Sequence, residues 1–109
     1  MKPITWLSNT KDAIRSFSED ARSEAGHQLG RVQLGKQPED WKSMPSIGIG
    51  VNEIRVHAEN EYRVIYMAKF SEAIYVLHAF SKKTRQTSKR DIELAKQRYR
   101  ELLSMRREK

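Results

Sequence analysis

The sequence predicts an α+β fold: a small, mostly antiparallel twisted sheet packed against an N-terminal helical hairpin and a C-terminal helix. Three observations carry this prediction. Three stretches between residues 51 and 80 have the alternating or continuous apolar patterns of strands. The gaps between them, 57–61 and 71–73, are short enough for antiparallel hairpins. Apolar residues recur at helical spacing before this block and again after it. With 109 residues and 38% hydrophobic content, the chain is expected to form one domain over 1–109.

Residues 1–7 contain Ile4, Trp6 and Leu7 and read as a short strand. Asn9, with Asp12 three residues on, offers a helix cap, and Ala13, Ile14 and Phe17 form the apolar side of a short helix. Ser18 caps a second helix, with Glu19 and Asp20 at the positive end of its dipole. Ala21, Ala25, Leu29 and Val32 supply its apolar stripe, and Gly35 is its stop. The simplest arrangement is an αα-hairpin. Residues 36–50 hold Pro38, Pro45, Gly48 and Gly50 and read as a long connection, pinned to the core by Trp41 and Met44.

In the stretch Val51–His57, Ile54 and Val56 fall on one face and Glu53, Arg55 and His57 on the other. Over 62–70, Tyr62, Val64, Tyr66 and Ala68 share a face, opposite Arg63, Ile65, Met67 and Lys69. The stretch 74–80 is apolar on both faces, so a central strand covered on both sides is expected. Ser88 and Asp91 form a capping-box pair for the last helix. Its stripe is Ile92, Ala95, Tyr99 and Leu102, and its exposed face carries Lys96, Arg98, Arg100, Arg106 and Arg107.

Charge separates the two parts of the chain. Up to Asn60 there are eight basic and eight acidic residues; beyond it there are thirteen basic and six acidic, so the whole net charge of +7 lies there. Lys82, Lys83, Arg85, Lys89 and Arg90 crowd into one stretch without an acid. Such an excess favours a polyanionic partner such as nucleic acid. The sequence has no cysteine, which excludes disulfides, thiol catalysis and thiolate metal sites. No apolar run is long enough to span a membrane, and residues 1–7 lack a signal-peptide pattern, so a cytoplasmic protein without membrane contact is expected. His27, His57 and His78 are scattered without the spacing of a metal site, so no metal or other cofactor is expected.

The run Val76-Leu77-His78-Ala79-Phe80-Ser81-Lys82-Lys83-Thr84, then Thr87 and Asp91-Ile92-Glu93-Leu94-Ala95, resembles the phage-derived HigB-like branch of the RelE/ParE toxin superfamily. Gly50-Val51-Asn52-Glu53-Ile54-Arg55 and Tyr62-Arg63-Val64 fall in the matching order. The resemblance extends over essentially the whole chain. It departs at Ser88, where the family often has proline, and at Asn52–Arg55, where ribosome-dependent RelE enzymes carry lysines and only Arg55 is cationic here. The resemblance implies the toxin of a type II toxin–antitoxin pair, with a helix-turn-helix antitoxin as partner and mRNA on the ribosome as target. A neighbouring branch implies an alternative, a non-enzymatic inhibitor of DNA gyrase. A basic nucleic-acid-binding module without activity is a third class.

RNA cleavage by transesterification needs a proton removed from the 2′-hydroxyl, a phosphate held in line, charge stabilised on the phosphorane and a proton given to the leaving oxygen. Cationic side chains meet the electrostatic demand. If the hairpin turns about Glu59, Arg55 lies directly opposite Arg63. Like charges so placed repel. A phosphate between the guanidinium groups relieves that repulsion, and so does pairing with Glu53 or Glu61. Lys82 and Lys83 point to opposite sides of a strand end, so only one need face the site, as phosphate ligand or as acid or base. His78 is the conventional base nearest them, with packing in the strand as its alternative role. The catalytic candidates are therefore Arg55, Arg63, Lys82, Lys83 and His78, and the RNA-binding candidates are Lys69, Arg85, Lys89 and Arg90.

Overall fold

The structure, a computed structural model, describes residues 1–83 and 85–107. Thr84, the last residue of the Phe-x-Lys-Lys-Thr run, lies outside them. The elements are β1 (Ile4–Trp6), α1 (Thr10–Arg15), α2 (Glu19–Gln33), β2 (Trp41–Ser43), β3 (Val51–His57), β4 (Glu61–Met67), β5 (Ile74–Lys82) and α3 (Lys89–Arg107). The fold is α+β. Its five strands form one sheet in the order β1-β5-β4-β3-β2, antiparallel except where β1 runs parallel to β5.

Strand alternation sorts the side chains into two cores. On one face, Ile54, Val56, Val64, Tyr66, Ile74 and Val76 meet Ile14, Phe17 and the α2 stripe of Ala21, Ala25, Leu29 and Val32. On the other, Val51, Ile65, Met67, Tyr75 and Leu77 meet Ala95 and Leu102 of α3. Helices thus cover both faces, which explains why β5 is apolar on both sides. Burying each Val, Leu, Ile, Phe or Met side chain among them contributes about 1.5–3 kcal/mol. Ser18 caps α2 by accepting the Ala21 amide, and Phe17 packs on Tyr62 with ring centroids 4.5 Å apart.

Several details depart from the sequence expectation. The connection 36–50 contains a strand, β2, whose edge position and three exposed residues leave no apolar alternation to read. Trp41 sits on that strand and is 38% exposed rather than buried in the core. Met44 and Ile47 anchor the segment instead, and the Tyr99 ring lies over Gly48, where any Cβ would collide with it. Asn9 makes no side-chain cap on α1; its side-chain oxygen accepts from Arg98. Arg98, expected on the exposed face of α3, is turned inward, where it also donates to the Leu77 carbonyl. β4 ends at Met67, short of Phe70, and β5 runs on to Lys82.

One ionic clasp ties β2 to the β3–β4 hairpin. His57 Nε2 lies 2.6 Å from Asp40, just before β2, and Nδ1 lies 2.7 Å from Glu61 on β4. These hydrogen bonds, to Asp40 and then Glu61, raise the His57 pKa above its ordinary 6.5, and the His57 bond holds Glu61 below its ordinary 4.5. A raised histidine pKa stabilises the fold fully below 6.5 and loses that effect as pH climbs through the folded value; a lowered carboxylate pKa stabilises above 4.5 and loses it as pH falls through the folded value. His57→Gln should therefore lower the melting temperature most between pH 4.5 and 6.5, with the deficit shrinking at higher pH. A deficit that grows with pH, in melting curves of both proteins, would contradict the clasp.

Candidate functional site

The β3–β4 register places Arg55 directly opposite Arg63, the pairing expected from a turn about Glu59. Both side chains point to the α3 face, and Glu53, two residues before Arg55, joins them there. Its Oε1 lies 3.7 Å from Arg55 Nε and 3.6 Å from Arg63 Nε. Arg63 also donates to Glu61 at 3.1 Å and to the Tyr62 carbonyl at 2.9 Å. Carboxylates thus relieve the cross-strand repulsion. Glu53 is 3% exposed and Arg63 5%, so this pair is interior, whereas the Arg55 side chain is 35% exposed. Both arginine Nε atoms are buried without a hydrogen-bond partner.

A bulge in β5 sets what joins Arg55. Lys82 to His78 pair with Glu61 to Ile65, but Tyr66 then pairs with Val76, leaving Leu77 without a partner on β4. Strict alternation from Ile74 would send His78, Phe80 and Lys82 to the α1–α2 face. The extra residue reverses this and turns all three toward α3. Lys82 consequently lines a cavity of about 300 Å³ together with Lys42, Arg55, Arg85, Glu53 and Thr87. The Lys82 ammonium donates to the Arg85 carbonyl, and the Thr87 hydroxyl lies 3.5 Å from Glu53. Four cations line this cavity with one carboxylate, and that carboxylate already faces two guanidinium groups. Such a surface attracts a phosphodiester.

His78 lines a different cavity, of about 490 Å³, with Asn9, Arg90, Asp91 and Arg98. Its Nε2 lies 2.7 Å from Asp91 Oδ1, its Nδ1 3.2 Å from Arg98 Nη1, and its ring stacks on Phe80. Burial lowers its pKa below 6.5; Asp91 works in the opposite direction, and Arg98 and Arg90 add to the lowering. The neutral tautomer fits both contacts: Nε2–H donates to Asp91 and Nδ1 accepts from Arg98. Ser88 completes the N-terminus of α3, accepting the Asp91 amide and donating to its carboxylate. The Asp91–His78–Arg98 chain therefore fastens α3 to β5. Ile92 lies in the wall of the Arg55 cavity, so the first turn of α3 divides the two.

The other candidates scatter. Lys83 and Lys89 are exposed and line neither cavity; Lys69 lines a third, on the α2 face. Sequence reasoning did not pick out Lys42, which sits in the unrecognised β2, or Glu53 and Thr87 as cavity residues. For Glu53 a signal existed, since it shares a strand face with Arg55. Among the described residues, no group of His, Asp or Glu is placed to hold a metal ion, and no helix is long and apolar enough to cross a membrane.

A family model described as phage-derived protein, Gp49-like, matches residues 12–100. The chain belongs to the Gp49-like family. No curated protein matches it. The match spans every residue named in the Arg55 cavity, along with His78, Asp91 and Arg98.

The burial of Arg63 changes what its removal does to this Gp49-like protein. By strand alternation Arg63 lies opposite Tyr62, Val64 and Tyr66, and the sequence alone therefore predicts that its loss leaves the fold intact. In the structure, Arg63→Ala leaves the buried Glu53 with only the partly exposed Arg55 as its ion-pair partner, so the loss approaches the roughly 3–5 kcal/mol that an uncompensated buried charge costs. Denaturant unfolding should show that loss, and adding Glu53→Leu to Arg63→Met should recover part of it. Equal stability of Arg63→Ala and wild type would refute the buried pair.

Proposed function

We propose that this Gp49-like protein is the toxin of a type II toxin–antitoxin pair and cuts mRNA, on the translating ribosome, by a transesterification that needs no metal. The observation that carries the reading is the cavity in which Lys42, Arg55, Lys82 and Arg85 surround the buried Glu53 carboxylate. Cations hold the scissile phosphate and stabilise the phosphorane charge, and the Glu53 carboxylate is the acceptor that lines the same cavity. The resemblance to HigB-like toxins and the phage-derived family support the same reading.

In this mechanism Arg55, with Lys42 and Arg85, grips the phosphate. Glu53 takes the proton of the 2′-hydroxyl, whose oxygen attacks phosphorus. The bond from phosphorus to the 5′-oxygen breaks, and Lys82 gives that oxygen a proton. The products are a 2′,3′-cyclic phosphate and a 5′-hydroxyl end. Arg63 acts through Glu53, holding its carboxylate in place. His78 acts through Asp91 and Arg98, holding α3 over the cavity. The antitoxin is a helix-turn-helix protein with an acidic segment that covers the basic surface; its charge complements the +7 of this chain.

Primer extension on translated mRNA tests the reading. Cleavage should persist in EDTA and leave cyclic-phosphate ends. Arg55→Gln should slow it about a hundredfold, the usual effect of losing one transition-state donor, with a smaller loss of melting temperature than Arg63→Ala because Arg63 still faces Glu53. Arg107→Ala, on the exposed end of α3, should cut at the wild-type rate. Growth arrest on induction with intact mRNA would instead favour a non-enzymatic toxin of the gyrase-inhibiting kind.

A further inference from the structure

A third cavity, of about 310 Å³, opens on the opposite face of the sheet and is lined by Lys2, Lys36, Lys69, Asn52 and Tyr66. Asn52 and Tyr66 are register partners on the face covered by α2, while Glu53, the next residue of β3, points to the α3 face. The two basic cavities therefore lie back to back across the sheet and are separate sites.

No carboxylate lines this cavity. Among the described residues, Lys2, Lys36 and Lys69 take part in no ion pair. Lys2 donates to the Ala68 carbonyl, which fixes its ammonium at the rim. The stem of Lys69 lies across Gly50, whose φ of +82° favours glycine. At the floor, the Tyr66 side chain is buried, and burial pushes its pKa up to about 12 against the hydrogen bond from Asn52. Its hydroxyl therefore stays protonated at physiological pH and available as a donor.

We infer that this cavity binds the phosphate monoester of a nucleotide-sized ligand. Three lysines that line one cavity with no carboxylate among its walls repel one another, and an anion removes that cost. A phosphomonoester carries about −1.5 to −2 charges at neutral pH and three acceptor oxygens, which matches three lysines and a hydroxyl. A carboxylate of an acidic peptide carries a single charge and two oxygens and leaves that set partly unmatched. The volume sits at the lower end of the roughly 300–1,000 Å³ typical of small-ligand sites. The phosphate arrives on a free mononucleotide or on the 5′-end of an RNA chain. The inference stands apart from the RNA-cleavage reading, since the residues involved belong to different faces of the sheet.

Isothermal titration calorimetry with inorganic phosphate, adenosine 5′-monophosphate and a short oligoribonucleotide, with and without a 5′-phosphate, tests it. Adenosine 5′-monophosphate should bind one per chain with Kd below about 1 mM. The double variant Lys36→Gln, Lys69→Gln, at two exposed positions, should weaken it by ~10-fold or more. Arg55→Gln should leave it unchanged, which separates this site from the cavity on the α3 face. Tighter binding of the 5′-phosphorylated oligonucleotide than of its 5′-hydroxyl form assigns the site to RNA ends; preference for the mononucleotide assigns it to free nucleotide. The inference is overturned if no phosphate probe binds, if the lysine variant binds as wild type does, or if an acidic peptide binds there and the phosphate probes do not.

Discussion

At Leu77, β5 carries one residue more than the strand beside it, and that extra residue decides which side chains meet. Upstream of it, Tyr75 faces α3 and Val76 faces α2; downstream, His78, Phe80 and Lys82 face α3 and Ala79 faces α2. A bulge of this kind disrupts the ladder locally and re-aims the side chains beyond it. Here it lets an apolar strand deliver a histidine and a lysine to the same face without giving up either core. His78 then meets Asp91 and Arg98 and fixes the start of α3, and Lys82 reaches the cavity that Arg55 lines. Both the docking of the last helix and the composition of the basic cavity stem from one local irregularity.

The second constraint is electrostatic. Two arginines paired across adjacent strands are stable only with a compensating anion, and Glu53 supplies it from the same strand face. A buried ion pair contributes little net stability compared with well-packed apolar residues, but it is costly to break. Its value here is positional. Glu53 draws Arg63 inward and leaves Arg55 half-exposed at the cavity rim, so two residues that look equivalent in sequence occupy different environments. The same pairing keeps a carboxylate under the cluster of cations that lines the cavity.

Much of this was legible where local chemistry determines the outcome. The turn about Glu59 fixed the Arg55–Arg63 register, Ser18 and Ser88 marked helix starts by their capping, and an all-apolar β5 implied cover on both faces. The sequence could not show features that arise from long-range contacts. β2 is three exposed residues whose pairing with β3 supplies its structure, so no periodicity announces it and Trp41 reads misleadingly as core. A bulge leaves no mark in a strand that is apolar throughout, and without it His78 and Lys82 cannot be assigned a face. Arg98 reads as a solvated helix residue because its partners, Asn9, Leu77 and His78, come from two distant segments. The candidate site was correspondingly half visible: Arg55, Lys82 and Arg85 were named, but Lys42 and the division of the cations among cavities were not.

The account requires Arg55 and Lys82 to act on one phosphate, because the bulge brings them to one cavity. A double-mutant cycle on the RNA cleavage rate, using Arg55→Gln, Lys82→Gln and the two combined, measures this directly. Residues that serve a single transition state lose their effects non-additively. The account predicts that the double variant cuts little more slowly than the slower single variant. Losses that simply multiply would show that the two cations work independently and would contradict it.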